Sequence, residues 1–338
     1  MIKNLYKNLP ITYIMSKSVV LDFFDNFFKT LNSIIYAKTP DKIWLRLLLI
    51  LAIVLIVMIT YNKNNPPPRQ EGFEQNDMFV LKQDGNIYDK FYTEKYDLLM
   101  KPQERALFEI NSVIEMTQPT YNSVFLDVGS GTGHLVNTLQ HKGYRVYGID
   151  KSADMVAKSE KTFPDGEIIV GDVLNPMAFE HNTFSHILCM GATIYELDDK
   201  EAFLKNCYYW LAPNGYLILH LADRDKFDPI IPVAKNTMFR NPQKYMKNRI
   251  TNSDIDFSTF SYSADYVFPK DNTKVLVKEK FTDNMGHIRQ NENTLHMDPV
   301  ENILQIAIRR GFIVHAKLNM SKYNGDENQY LYVLERSM

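Results

Sequence analysis

Only two cysteines, Cys189 and Cys207, occur in 338 residues. Both sit in apolar surroundings, so a disulfide framework is excluded. Neither a zinc-ligand spacing nor a CxxC pair is present, and no metal site is expected; two buried thiols in a reducing compartment are. Positive charge is scarce where a polyanion would need it. Residues 1–69 carry nine Lys or Arg against three acids, whereas 70–338 carry 29 against 37. An acidic main body argues against DNA or RNA as partner, because their capture depends on neutralising phosphates. No internal repeat is found. What remains is a chain with 45% apolar residues, enough for one sizeable α/β domain with additions at its ends.

Charge is also nearly absent from IWLRLLLILAIVLIVMIT, where Arg46 alone interrupts the apolar run 43–59. At about 1.5 Å per helical residue such a run approaches the roughly 30 Å hydrocarbon thickness of a bilayer. It starts far from Met1 and no small-residue cleavage site follows, which disfavours a signal peptide. The expectation is a single transmembrane anchor over 43–61. Before it, 1–42 is basic and partly amphipathic, and its aromatic stretch 19–37 suits a membrane surface. After it, the proline-rich 62–77 reads as an extended spacer, leading into a main domain over 78–338. Counting flanking Lys and Arg places the N-terminus in the cytosol and the main domain across the membrane. A cytosolic cofactor would require the reverse, and the sequence leaves both open.

From Lys101 onward, strand-like and helix-like segments alternate: a helix over 101–116, then SVFLDV, HLVNTLQHKG, YRVYGID, SADMVAKSEKTF, GEIIVGDV, FSHILCMG, KEAFLKNCYYWLAPNG and YLILHLA. That succession predicts a parallel sheet with helices on both faces, whose ligands sit at the carboxyl ends of the strands. Beyond Asp223 the rhythm breaks into antiparallel strands over 258–268, 273–282 and 287–296. The helix PVENILQIAIRRG, stopped by Gly311, and the strands FIVHAKL and QYLYVLER follow. The insertion 225–296 is the expected substrate cap; its KYMKNRI is a local basic cluster suited to an acidic substrate, a lipid headgroup or plain solvent.

FLDVGSGTGHLV poses the functional question. Glycines at this density between a strand and a helix bring the backbone close to a ligand. A dinucleotide fingerprint reads GxGxxG, but Asp127, Gly129, Gly131 and Gly133 give DxGxGxG. The carboxylate before the glycines would repel a pyrophosphate and suits a cationic ligand such as the amino group of a methionine-like moiety.

With these residues the chain resembles the class I S-adenosylmethionine (SAM)-dependent methyltransferases, from about Tyr88 to Glu335. The resemblance implies a Rossmann-like, doubly wound α/β fold of seven strands with a reversed last strand, here with an antiparallel β insertion. It implies SAM as cofactor. Asp150, ending YRVYGID, matches the acidic residue that bonds the ribose hydroxyls. Ser152 and Met155 match the adenine lining, Asp172 and Val173 the reading of the adenine amino group and ring edge, and Met190 the loop beside the methionine moiety. Tyr88, Tyr92 and Tyr96, four residues apart, fall on one helical face, in the place of a helix that covers the cofactor in small-molecule members.

The chemistry needs little beyond alignment of a nucleophile behind the methyl group, with a base only if the acceptor arrives protonated. Candidate bases are His220, Asp223 and Tyr195, with His134 as a further one. MGATIY lacks the [DN]PP[YF] pattern of adenine or glutamine amino methyltransferases, and no proline precedes Cys189 as in the cytosine C5 enzymes. The expectation is a membrane-tethered methyltransferase of a small molecule. A membrane-associated lipid or protein acceptor, or a catalytically silent scaffold of the same fold, are the alternatives, with a nicotinamide-linked oxidoreductase further behind.

Overall fold

Two-residue alternation along the strands decides how the main body is layered. The protein, described here from a computed structural model, is defined over residues 29, 43–64, 77–235, 243, 246, 248–270 and 273–337. It divides into two compact units, Met1–Glu71 and Gly72–Met338. The first contains helix α1 (Ile43–Asn64). Of its 22 residues, the side chains at 43, 45, 49, 59 and 61–64 lie outside the described ones. Among the described residues no helix is long and apolar enough to cross a membrane, so the anchor expected over 43–61 is not borne out there. The amphipathic stretch 19–37, apart from Lys29, and the spacer, apart from 62–64 and 77, lie outside the described residues. So do three positions of KYMKNRI.

In the second unit the order is β1 (Phe79–Gln83), α2 (Lys90–Met100), α3 (Pro102–Thr117), β2 (Val124–Val128), α4 (His134–His141), β3 (Arg145–Asp150), α5 (Ala153–Thr162), β4 (Glu167–Val170), β5 (Phe184–Cys189), α6 (Thr193–Glu196), α7 (Lys200–Trp210) and β6 (Leu211–Ala222). Then come β7 (Asn252–Asp256), β8 (Phe260–Val267), β9 (Lys274–Asp283), β10 (Ile288–His296), α8 (Val300–Arg309), β11 (Phe312–Asn319), α9 (Ser321–Asn324) and β12 (Gln329–Arg336). A seven-stranded sheet runs β11-β12-β6-β5-β2-β3-β4. Its pairs are parallel except those of β12, which is antiparallel to both β6 and β11. The reversed last strand expected from the resemblance is therefore present.

Neighbouring residues of one strand feed opposite cores. Leu126, Ile187, Leu217 and Leu219 join Phe203, Cys207 and Trp210 of α7 and Ile303 and Ala307 of α8. Phe125, Leu188 and Ile218 instead join Ala106, Ile110 and Val113 of α3 and Leu135 and Leu139 of α4. Fully buried side chains of this size contribute about 1.5–3 kcal/mol each. Local chemistry sets the helix starts: Asp89, Ser152 and Asp199 each accept a backbone N–H of the first turn, the usual device for satisfying an orphan donor.

A second sheet, β1-β10-β9-β8-β7, forms mostly from the insertion. It packs on α2: Tyr92 and Leu99 share a core with Phe260, Tyr262 and Phe281, and with Met155 of α5. Two of its strands escape the sequence reading. β1 pairs parallel with β10 across some two hundred residues, a partnership no local pattern carries, and β7 is a short edge strand. LAPNG, expected as the end of α7, opens β6 instead; α7 stops at Trp210, and the β5–β6 register shifts between Phe184 and His186 to absorb the extra residues.

Candidate active site

The glycine turn follows β2 at the carboxyl end of the parallel sheet. Two of its glycines are required for opposite reasons. Gly133, at φ +83°, has Ser159 Oγ 2.0 Å and Ile168 Cδ1 3.0 Å from where a Cβ would stand, so it permits close packing of α5. Gly131, at φ +53°, has nothing within 4 Å of that point and faces open space. The turn is fixed on three sides. Gly129 N donates to Ile149 O at 2.8 Å, Gly131 N to Asp150 Oδ2 at 2.8 Å, and Thr132 Oγ1 to Asp97 Oδ1 of α2 at 2.6 Å.

Asp150, at the end of β3, organises the next layer. Its other oxygen accepts from Ser152 N at 2.8 Å. Burial raises its pKa, opposed by the N–H groups of Ser152 and Gly131. Ser152 Oγ donates to the Tyr88 carbonyl at 2.5 Å while accepting from Met155 N at 3.1 Å. The ends of β2 and β3 and the segment entering α2 thus converge around Asp127, Gly129, Gly131, Gly133, Asp150, Ser152 and Tyr88.

Asp127 is 3% exposed and its carboxylate accepts no hydrogen bond among the described residues. Burial and the nearby Glu109 push its pKa well up, against the pull of Arg105. Arg105 and Glu109, four residues apart on α3, form a pair with Nε 3.6 Å from Oε1. Both Glu109 oxygens lack a hydrogen-bond partner, and burial raises that carboxyl to about 7, with Arg105 pulling the other way. The far end of the Arg105 guanidinium lies against Gly191, 3.2 Å from the point a Cβ would occupy there. It makes no hydrogen bond among the described residues. A guanidinium with outer donors unbonded beside the loop after β5 has the geometry to take a carboxylate.

Other expected site residues are placed differently. Met155 is buried in the core shared by α2 and the insertion, and Val173 and Met190 are buried in the two sheet cores. Asp172 is held by Lys151 Nζ and Leu174 N, both at 2.9 Å. The three tyrosines do not share one helix. Tyr88 precedes α2, because Asp89 caps its start. Tyr92, expected at the cofactor, donates to buried Glu279 Oε1 at 2.9 Å and joins helix to insertion.

The candidate bases separate as well. Tyr195 is locked to β6: its hydroxyl donates to Ala222 O at 3.2 Å and accepts Ala222 N at 2.7 Å, which makes it a brace. Asp223 caps a turn, accepting from Asp225 N at 3.1 Å and pairing with Lys226 at 3.0 Å. His134 lies 3.4 Å from Asp97 with its ring against Phe163. His220 stays at the site. Burial, with Arg105 adding to it, lowers it to about 4, so it is neutral; Nε2 engages Gln329 Oε1 at 3.0 Å and Nδ1 has no partner. Sequence reasoning missed Arg105 and Glu196. Neither belongs to a motif, and only the EL of MGATIYEL, a charge at the end of an apolar loop, hinted at the second.

Comparison with known proteins agrees with this geometry. Residues 126–219 match the family model described as a methyltransferase domain. The chain is 27% identical over 137 residues to a demethylmenaquinone methyltransferase of Thermotoga maritima, covering 39% of this chain and 58% of that protein. It is 32% identical over 114 residues to a caffeic acid 3-O-methyltransferase of Populus tremuloides, covering 33% and 28%. The chain thus spans between about a quarter and three fifths of the length of these relatives. A solved SAM-dependent methyltransferase from Clostridium acetobutylicum superposes with a TM-score of 0.56 at 18% identity, over 75% of this chain and all of that one, a likeness of fold. Residues 126–219 thus match a methyltransferase domain, set in a fold like that of the solved SAM-dependent methyltransferase.

Proposed function

We propose that the domain over 78–338 binds SAM and transfers its methyl group to a small molecule. The observation that carries this reading is the open face of Gly131 between two carboxylates, Asp127 and Asp150, at the carboxyl ends of adjacent strands. The donor set fits each part of the cofactor. Asp150 suits the ribose hydroxyls, the turn 129–133 the adenosine, the unpartnered Asp127 the amino group, and the outer nitrogens of the Arg105 guanidinium the α-carboxylate. When bound, SAM supplies an electrophilic methyl group, so the chain's own task is to orient an acceptor and exclude water. The substrates for which the two relatives are named, demethylmenaquinone and caffeic acid, support a small-molecule acceptor. Titration calorimetry of the full chain should find one site for SAM and for its demethylated product, S-adenosylhomocysteine. Absence of heat with both would sink the enzyme reading and favour the silent scaffold.

A membrane tether is a second part of the proposal, supported by the near-uncharged run 43–59 and by α1, along which Leu47, Leu51, Val54 and Met58 are each more than half exposed. The full chain should stay with membranes through an alkaline carbonate wash. Leu51→Lys with Val54→Lys should release it, since each central lysine costs about 2.5–3.5 kcal/mol in a bilayer. Wild-type protein recovered in the wash supernatant would remove the tether. Protease protection in sealed vesicles then assigns the side of the methyltransferase domain.

A further inference from the structure

The loop after β5 holds a carboxylate that the cofactor's grip leaves unused. Glu196 ends α6, against β10. Only its Oε1 is engaged, accepting from the Tyr88 hydroxyl and from Asn293 Nδ2 at 3.3 Å. Oε2 has no partner among the described residues. Protein packs around the group, yet Glu196 is exposed to solvent. A buried carboxylate of the insertion, Glu279, is by contrast saturated, accepting from Tyr92, Tyr262 and Asn291.

Two more polar groups, each over nine-tenths buried, end unpartnered in the same region: the Asp127 carboxylate and His220 Nδ1. Hydrogen bonds tie Glu196 to the glycine turn: the Tyr88 hydroxyl donates to Glu196, the Tyr88 carbonyl accepts from Ser152 Oγ, and Ser152 N and Gly131 N both donate to Asp150. Cys189 feels both Asp127 and Glu196, and Tyr96 feels Arg105, Glu196 and Asp150. The ionisable groups facing Glu196 come from every surrounding element: Tyr88 before α2, Tyr96 on α2, Asp150 on β3, Cys189 on β5, Tyr266 on β8 and Glu279 on β9. None is a cation.

We propose that the methyl acceptor is an amine, bound as its ammonium ion by Glu196 Oε2 beside the Tyr88 ring and deprotonated there. The inference rests on the methyltransferase reading and names its substrate class. An ammonium finds here a free carboxylate and aromatic faces, the combination that holds alkylammonium ions. Proton transfer from ammonium to carboxylate leaves two neutral partners. The same transfer from a hydroxyl would leave an anion among Asp127, Asp150 and Glu279. The step balances as follows: Glu196 takes one proton from the ammonium, and the freed nitrogen lone pair forms the N–C bond. The C–S bond breaks with its electrons on sulfur, the products are the methylammonium ion and neutral S-adenosylhomocysteine, and Glu196 returns its proton to water. Burial suits the residue to this work, raising it to about 7 against the hydrogen bonds of Tyr88 and Asn293 and with the help of Asp150 and Glu279. A base near neutrality is the effective one at neutral pH.

The test offers the full chain and methyl-labelled SAM a panel of alkyl and arylalkyl primary amines, each matched with the alcohol of the same skeleton. Label should appear on nitrogen, with kcat rising to a plateau through about pH 7 as Glu196 ionises. Glu196→Gln should cut kcat about 100-fold and erase that rising limb, with calorimetric SAM affinity unchanged; Glu196→Asp should restore part of the rate and the limb. Label on the alcohols, no amine methylated by protein that binds SAM, or a Glu196→Gln enzyme at the wild-type rate would each overturn the inference while leaving the methyltransferase standing. Failure to bind SAM at all would overturn both.

Discussion

Gly131→Arg is expected to lower SAM affinity by at least about 1,000-fold, some 4 kcal/mol, in a protein that remains folded. The residue at 131 keeps a left-handed backbone, so any side chain there costs roughly 1–2 kcal/mol, which a domain with three hydrophobic cores can carry. Nothing of the protein lies within 4 Å of the new Cβ, so the arginine occupies the space meant for ligand. Its guanidinium is also within reach of Asp150, the neighbour that already accepts the 131 N–H, and would draw that carboxylate away from a ribose. Gly133→Ala supplies the contrast. One methyl group there meets Ser159 Oγ at 2.0 Å, and Ser159 is itself 1% exposed with nowhere to turn. The Gly133 variant should therefore lose stability, and affinity only as a consequence. Calorimetry read beside a thermal melt separates the two, and a Gly131→Arg protein with wild-type affinity would show that the pocket lies elsewhere.

The contrast between these two glycines also marks what the sequence could say. Their spacing after an apolar strand pointed to a ligand turn, and alternation of apolar segments pointed to the parallel sheet, its reversed end being implied by the family resemblance. Those features are local, each written within some twenty residues. What stayed hidden depends on pairings across long separations. β1 finds β10, Tyr92 finds Glu279, and Tyr88 finds Glu196, none within one hundred positions of the other. Tyr88, Tyr92 and Tyr96 read as one helical stripe because the spacing of four is right. Asp89 makes a better cap than a helix interior residue, and that single preference moved Tyr88 off the helix and toward the site. Tyr195 had the residue type of a base, but hydroxyl bonds to both backbone groups of Ala222 use it up. Arg105 was unreadable for the opposite reason: an ERALFE stretch looks like a solvated helix face until burial shows that its arginine and glutamate point inward.

Arg105→Leu should destabilise the protein by about 3–5 kcal/mol at pH 8, the usual cost of stranding a buried charge, and by much less at pH 5. Glu109 is fully buried, both its oxygens lack hydrogen-bond partners, and Arg105 is the cation beside it. The sign follows from its ionisation. Its folded value of about 7 already exceeds the unfolded 4.5, so the protonated form is the one the fold prefers, and stability is lost as pH rises from about 4.5 toward 7. Removing Arg105 takes away the one pull that opposes burial and carries the folded value higher still. Below pH 5 Glu109 is protonated in both proteins and the difference narrows; above 7 the wild type stops losing stability while the variant continues. Denaturant unfolding at pH 5, 6.5 and 8 reads this directly, and a deficit equal at all three would show that the pair is not ionised. Arg105→Leu with Glu109→Leu should regain most of the loss, since replacing both members leaves no stranded charge. What the double variant does not regain is the guanidinium facing Gly191. If that fork holds the cofactor's carboxylate, the refolded double variant binds SAM at least about tenfold more weakly, as loss of a charge-assisted pair implies, and equal affinity would assign Arg105 to the support of α3 alone.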